Sequence, residues 1–378
     1  MRYLVILMSC LFLYISWPAI DDRISAVKDS FTGSLSSSSE NQEKNYSLSL
    51  NSIIGGFESL QQELNTALGK YTGKQPKGVS EKIKKPDLGI PADQVLSVHN
   101  IEIGDSKKDT EQQLGIAKRS SYNEYGVHWN TYHQNYQNFT MAAYDENGIV
   151  EGLYSNQDLI SSRLGIKHGI SREKVLDQLG EPLTKIHKRM TFYKLPADRD
   201  YDLFHIDGTY ITIFYDKHEG DAVTSIQIIS ERLENKKQDY YSEANDQLKE
   251  GFEYQLFDLT NAERAEKNLP ILSWDEHIRE TARNHSKDMA ENNYFSHTNL
   301  EGQSPFDRMA EDDIKFSVAG ENLAYGQNSS VFAHEGLMNS LGHRKNILQP
   351  DYRLLGIGVA FNNKSQPYYT ENYYSKRY

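Results

Sequence analysis

Phe295-Ser296-His297-Thr298, Gly320-Glu321-Asn322-Leu323-Ala324 and Ser340-Leu341-Gly342-His343-Arg344-Lys345-Asn346-Ile347-Leu348 are three short polar signatures inside one otherwise helical stretch, 294–348. Each sets a His or a carboxylate beside turn-forming residues. Imidazole and carboxylate are the side chains that bind a metal or move a proton near neutral pH. His297, Glu321 and His343 stand far apart in the chain, so only a fold can bring them together. The competing reading is structural: Gly320, Gly342 and Gly356 serve as turn residues, and Glu321 or His343 caps a helix.

Just upstream, Phe252, Leu256 and Leu259 followed by Asn261-Ala262-Glu263-Arg264 place apolar positions on one side of a helix that Pro270 stops. Trp274-Asp275-Glu276 opens a second helix, in which Ile278, Ala282, His285 and Met289 share a face. His285 lies on that stripe and reads as a packed, hydrogen-bonded histidine.

Further upstream the chain repeats itself. Ile103-Gly104-Asp105-Ser106 leads to Gln113-Leu114-Gly115, and His168-Gly169-Ile170-Ser171 leads to Gln178-Leu179-Gly180 at the same spacing. A Ser at the N-cap and a Gly just past the end delimit a short helix in each copy. Each copy then runs into strands ending in Tyr144-Asp145 and Tyr215-Asp216, followed by a turn and another strand. The unit is a helix followed by antiparallel strands, used twice. Trp129, Tyr132 and Tyr136 read as core or sheet surface. The histidines of this region, His99, His128, His133, His168, His187, His205 and His218, show no ligand spacing.

No charged residue stands between Arg2 and Asp21. The run from Tyr3 to Ile20 matches a short membrane-crossing or export segment, and its flanking charges fit an inside amino terminus. An uncleaved anchor, a cleaved signal peptide and a lipoprotein through Leu7-Met8-Ser9-Cys10 all remain open. The polar stretch that follows, with Ser36-Ser37-Ser38-Ser39 and a Lys/Gly/Pro-rich piece, reads as a tether. Ile53, Phe57, Leu60, Leu64 and Leu68 suggest one short amphipathic helix within it.

The ordered motifs Asn261-Ala262-Glu263-Arg264, Leu272-Ser273-Trp274-Asp275, His285-Ser286-Lys287-Asp288-Met289, Phe295-Ser296-His297, Gly320-Glu321-Asn322-Leu323-Ala324, Gly342-His343-Arg344-Lys345-Asn346-Ile347-Leu348 and Gly356-Ile357-Gly358-Val359-Ala360 resemble a bacterial CAP domain. That superfamily comprises cysteine-rich secretory proteins, antigen 5 and pathogenesis-related 1. The duplicated region resembles the associated domain that precedes it in some Gram-positive bacteria, and the whole resembles the membrane-associated CAP proteins of bacilli. The implied fold class is α+β: a carboxy-terminal α–β–α sandwich preceded by a duplicated helix-plus-antiparallel-sheet domain. The expected organisation is a signal or anchor at 1–20, a tether at 21–90, the duplicated domain at 91–230, a connector at 231–251 and the CAP domain at 252–374. The two domains are expected to fold independently.

The resemblance implies a cleft lined by two histidines and two acidic residues, which in some members bind zinc or another divalent cation. His297 and His343 match the histidines and Glu321 the first carboxylate. Where other members carry a second Glu after a Trp-rich helix, this chain reads Leu337-Met338-Asn339-Ser340. Ser340 occupies that place, and Glu335, one turn earlier, is the other candidate.

Composition narrows the function. Cys10 is the only cysteine, which excludes an intrachain disulfide and a Cys-ligated zinc. A formal net charge of -12 opposes binding to phosphate backbones, so nucleic acid is not an expected partner. His334-Glu335-Gly336-Leu337-Met338 lacks the second His of a helix-borne metalloprotease, and no G-x-S-x-G occurs. The leading expectation is therefore a non-enzymatic, exported envelope protein that requires no cofactor. Its partners would be the membrane, through the first segment, and an envelope protein, lipid or glycan. The alternatives are a metal-dependent hydrolase of peptide or cell-wall material using His297, His343 and Glu321, and a lipid-binding protein.

Overall fold

The computed structural model describes residues 82–377. The apolar amino-terminal run, the amphipathic segment and the tether up to residue 81 lie outside the described residues. Residues 82–90 of the tether run against the first copy of the repeat, where Ile83 N–H donates to Gln137 at 2.9 Å and Ser161 Oγ donates to the Gly89 carbonyl at 2.8 Å. The described residues form one compact unit. Among the described residues, no helix is long and apolar enough to cross a membrane.

The first copy of the repeat comprises β1 (Leu96–Val98), α1 (Lys107–Leu114), β2 (Arg119–Tyr122), β3 (His128–Gln134), β4 (Gln137–Tyr144), β5 (Val150–Ser155) and β6 (Ile160–Ser162). The second comprises α2 (Arg172–Leu179), β7 (Lys185–Lys188), β8 (Thr191–Lys194), β9 (Tyr201–Ile206), β10 (Thr209–Asp216) and β11 (Ala222–Ser230), and α3 (Glu231–Lys236) follows it. Both helices are bounded as the sequence predicts. Ser106 and Ser171 cap α1 and α2 through their side chains, and Gly115 and Gly180 end them at φ 81° and 77°. Asp145 and Asp216 then take backbone N–H groups of the turns that follow their strands.

The two copies join edge to edge in one seven-stranded sheet of order β2-β3-β4-β5-β11-β10-β9. β5 of the first copy and β11 of the second form the antiparallel seam, with Gln227 opposite Tyr154 and Ile228 opposite Leu153. The first copy gives the sheet four strands and pairs β1 with β6 outside it, and the second gives three. Between its helix and its sheet strands, β7 and β8 pair only with each other.

The sandwich that follows contains α4 (Asp246–Glu266), β12 (Ser273–Trp274), α5 (Glu276–Asn292), α6 (Pro305–Glu311), β13 (Phe316–Tyr325), α7 (Ser330–Met338), α8 (Leu341–Ile347), β14 (Leu354–Phe361) and β15 (Pro367–Lys376). Its sheet order is β12-β14-β15-β13, so β13 is an edge strand. Successive side chains of a strand point to opposite faces. Leu355, Ile357, Val359, Tyr369 and Tyr373 accordingly pack with Phe252 and Leu256 of α4, Leu337 of α7 and Ile347 of α8. Tyr374 faces Ile278 of α5 and Met309 of α6 on the other side, and Tyr368 and Leu323 face Met289.

The glycines expected in turns lie inside regular elements instead. Gly320 and Gly356 lie within β13 and β14 and Gly342 within α8. A Cβ on Gly356 would sit 2.4 Å from the Arg279 backbone nitrogen, because α5 lies directly on β14 there.

The two domains share a core. Trp129, Phe139, Met141, Ala143, Tyr154, Phe214 and Ile229, all on one face of the seven-stranded sheet, pack with Leu259 and Ala262 of α4 and Val331 of α7. The opposite face packs on the repeat's own helices through Leu114, Leu176 and Leu179. Polar contacts reinforce the join: Arg119 Nε lies 2.9 Å from Asp258 Oδ2, and Arg344 Nη1 lies 2.7 Å from Asp216 Oδ2. The sheet surface that the repeat offers is thus taken by its own CAP-like neighbour. Independent folding of the two domains would expose that cluster.

Candidate functional site

Glu321 and Asn322 are consecutive on edge strand β13 and so face opposite sides of the sheet. Glu321 is buried on the side of α5 and α6. Its Oε1 accepts from His297 Nδ1 at 2.9 Å, and its Oε2 accepts from Arg308 Nη2 at 2.7 Å. Arg308, on α6, also donates to the His297 carbonyl at 2.8 Å, so one guanidinium fixes both the carboxylate and the loop that carries the imidazole. That loop is anchored again where His285 Nε2 meets the Ser296 carbonyl at 2.9 Å. His285 is the packed histidine its stripe implied, and burial lowers its pKa. The His297 side chain remains half exposed, and its Nε2 makes no hydrogen bond among the described residues.

Asn322 stitches the other side. Its amide donates to the His343 carbonyl at 3.2 Å and to Glu371 at 3.0 Å, while Asn346 donates to the Glu321 carbonyl at 3.1 Å and to Asn322 at 2.9 Å. These bonds hold α8 against β13 and set His343 at the strand's edge. Its Nδ1 is 2.8 Å from Ser340 Oγ, which makes no helix-capping bond of its own. Burial, and then the nearby His297, lowers the His343 pKa, so this ring is neutral at neutral pH. The structure therefore brings His297, Glu321, His343 and Ser340 to one edge. Exposed apolar side chains flank them: Phe295 beside His297, Leu341 beside His343, and Tyr325 at the end of β13, its ring 5.9 Å from that of Phe295.

Glu335 is not part of this group. It stands one turn after Val331 on α7, and the shared face of those two positions looks toward the duplicated domain. Its Oε1 accepts from Tyr154 Oη at 2.7 Å and from Ser225 Oγ at 2.6 Å. Burial raises its pKa to about 7. It lines a cavity of about 70 Å³ between the domains, together with Glu263, Asn156 and His334.

A divalent cation needs open lone pairs from several ligands. Each oxygen of Glu321 already accepts a hydrogen bond, one from His297 and one from Arg308, and the Arg308 guanidinium competes with a cation for the carboxylate. Among the described residues, no three His, Cys, Asp or Glu side chains are grouped so as to hold a metal ion. The set His297, His343 and Glu321 therefore does not fit a three-ligand centre. Glu321 instead orients an imidazole, as an outer carboxylate does for a histidine ligand. Arg308, which decides this, carries no signal in sequence beyond its place in the helix that Ser304-Pro305 opens. Asn322 and Asn346 lie within the quoted motifs, but only the sheet and helix geometry gives them roles.

Comparison with known proteins agrees with this architecture. Residues 103–240 match the family described as CAP-associated N-terminal, and residues 257–373 match the cysteine-rich secretory protein family, CAP. The chain is 28% identical over 289 residues to the uncharacterized membrane protein YlbC of Bacillus subtilis, covering 72% of this chain and 82% of that one. It is 42% identical over 109 residues to the uncharacterized protein YkwD of the same organism, covering 29% of this chain and 42% of that one. The crystal structure of an extracellular protein containing an SCP domain from Bacillus anthracis superposes with a TM-score of 0.63 at 27% identity, covering 78% of this chain and all (100%) of that one. A cysteine-rich secretory protein from Staphylococcus aureus shares the fold at 15% identity, with a TM-score of 0.57 and coverage of 76% of this chain and 98% of that one. With both of its domains matched in order, the chain belongs to the CAP superfamily, as a CAP-associated N-terminal domain followed by a CAP domain.

Proposed function

We propose that this protein acts outside the cytoplasm as a non-enzymatic binding protein of the cell envelope, with the edge of β13 as its ligand surface. One observation carries the reading: two imidazoles, one held by a buried carboxylate–guanidinium pair and the other neutral, lie among the exposed side chains of Phe295, Tyr325 and Leu341. A few fixed polar groups within an apolar surface are what a small-ligand or glycan site requires. The metal-dependent hydrolase reading is less favoured, because Glu321 is committed to Arg308 and His297. Export is supported by the uncharged run from Tyr3 to Ile20, by the relative named a membrane protein and by the structural neighbour described as extracellular.

Incubation of the purified chain with peptidoglycan sacculi, and in parallel with lipid vesicles, tests the proposal. Retention on one of the two should fall about tenfold in the Phe295→Ala, His297→Ala double variant, the effect of losing about 1.4 kcal/mol of contact. No fragments should be released. Fragments whose release depends on His297 would establish the hydrolase instead. Equal retention of wild type and variant would remove the β13 edge from binding.

A further inference from the structure

The hairpin of β7 and β8 stands apart from both large sheets. Its register sets Lys185 opposite Lys194 and His187 opposite Phe192, with Ile186 opposite Tyr193 and Lys188 opposite Thr191. Opposed residues share a face. The inner face is accounted for: Lys188 is buried with Nζ 2.6 Å from Glu234 Oε1, and the Tyr193 ring lies 5.4 Å from that of Tyr240. On the outer face Lys185, His187, Phe192 and Lys194 are all exposed. Phe192 is 60% exposed and Met190, at the tip, 95%.

The outer face is a built surface. The His187 ring stacks 4.5 Å from Phe192, and Lys185 Nζ sits 4.6 Å over the same ring. The turn is made by Arg189 and Met190, with Arg189 at φ 48°, where short hairpins usually place Asn or Gly. An arginine and a methionine there present a cation and an apolar side chain at some conformational cost. From Thr184 to Ala197 the chain has basic residues and no Asp or Glu, although acidic residues outnumber basic ones overall, 53 to 41. Arg189 Nε donates to the neutral Gln238 side chain at 2.7 Å. Among the described residues, Lys185, Arg189 and Lys194 have no acidic partner.

We propose that this hairpin is a docking element for an anionic lipid surface. Met190 and Phe192 enter the boundary between headgroups and acyl chains, and Lys185, Arg189 and Lys194 meet lipid phosphates around them. An apolar tip within a basic collar suits both layers of such an interface. A nucleic-acid backbone would match the cations but leave Met190 and Phe192 without a partner, and the net charge of -12 opposes it. The proposal is independent of the β13 site. It requires only that the protein face a membrane.

The test uses the full chain with Cys10→Ser and Met190→Cys, carrying an environment-sensitive fluorophore at position 190 and reconstituted with vesicles. The label sits on the hairpin, so its environment reports on the hairpin itself whether or not the amino-terminal apolar run also meets the vesicle. With phosphatidylglycerol present, its emission should shift to the blue, and the shift should reverse at about 0.5 M salt, where the Debye length is short. Pure phosphatidylcholine should give no shift. Adding Lys185→Gln, Arg189→Gln and Lys194→Gln should weaken the response by roughly fivefold per charge, on the order of 100-fold in all. All three side chains are exposed, and circular dichroism confirms that the variant keeps its fold. An unshifted label on phosphatidylglycerol, or an equal shift on phosphatidylcholine, would overturn the proposal. So would a shift without vesicles that grows with protein concentration, which would assign the hairpin to a second copy of the chain.

Discussion

Gly251→Ala is expected to destabilise the protein by about 3 kcal/mol or more, because overpacking against backbone finds no rotamer to relieve it. Gly251 lies on α4 at its contact with β2, and an added Cβ would sit 1.9 Å from the Tyr122 carbonyl oxygen. That oxygen belongs to the duplicated domain, so the clash drives the two domains apart. Arg119–Asp258 and the Trp129, Leu259 and Val331 cluster would loosen together. Gly336→Ala, on the exposed side of α7 with nothing closer than 3.8 Å, is the control. It should be neutral or stabilising by up to about 1 kcal/mol, as for a helical Gly replaced without strain. Urea unfolding followed by the fluorescence of buried Trp129 compares them. Equal midpoints for the two variants would show that the join between the domains is not close-packed.

Glu335→Gln should act in the opposite direction and only above mildly acid pH. Gln retains an oxygen that can accept from Tyr154 and Ser225, but it has no charge to bury. Burial raises the Glu335 pKa from 4.5 to about 7, so its contribution to stability is fully present below pH 4.5 and is lost as pH rises through 7. Relative to wild type, the variant should show no gain at pH 4.5 and a gain on the order of 3 kcal/mol at pH 8. Glu263 lines the same cavity and is likewise raised to about 7 by burial, so relieving one charge also relieves its neighbour. Denaturation midpoints of both proteins across that range decide it. A difference that does not change with pH would mean that the buried charge is not its source.

Local chemistry was legible in the chain. Ser106 with Gly115 and Ser171 with Gly180 bound their helices because a cap needs only a few residues to be satisfied. The strands before Tyr144-Asp145 and Tyr215-Asp216 followed from the same local turns. What covers the second face of a sheet is not local. Alternation along β4 marks Met141 and Ala143 as one set without naming α4 and α7 as the partner. Glu335 was misplaced for a related reason. Its distance from Ser340 suggested the cleft, whereas its helical phase, shared with Val331, sends it to Tyr154. Arg308 was missed because a buried ion pair across 13 residues of sequence has no spacing rule.

The account turns on Glu321 being an internal support for His297, and zinc calorimetry on wild type and Glu321→Gln tests that most directly. Gln retains an acceptor for His297 Nδ1 but is a far poorer zinc ligand than a carboxylate. With circular dichroism confirming the fold of both, the variant should keep an isotherm, weakened by no more than the roughly 10–100-fold that loss of an outer carboxylate costs. Any heat that His297 and His343 produce should be weak and should diminish on acidification, as protons compete for the imidazoles. A tight wild-type isotherm that disappears in Glu321→Gln would make the carboxylate a metal ligand and contradict the account.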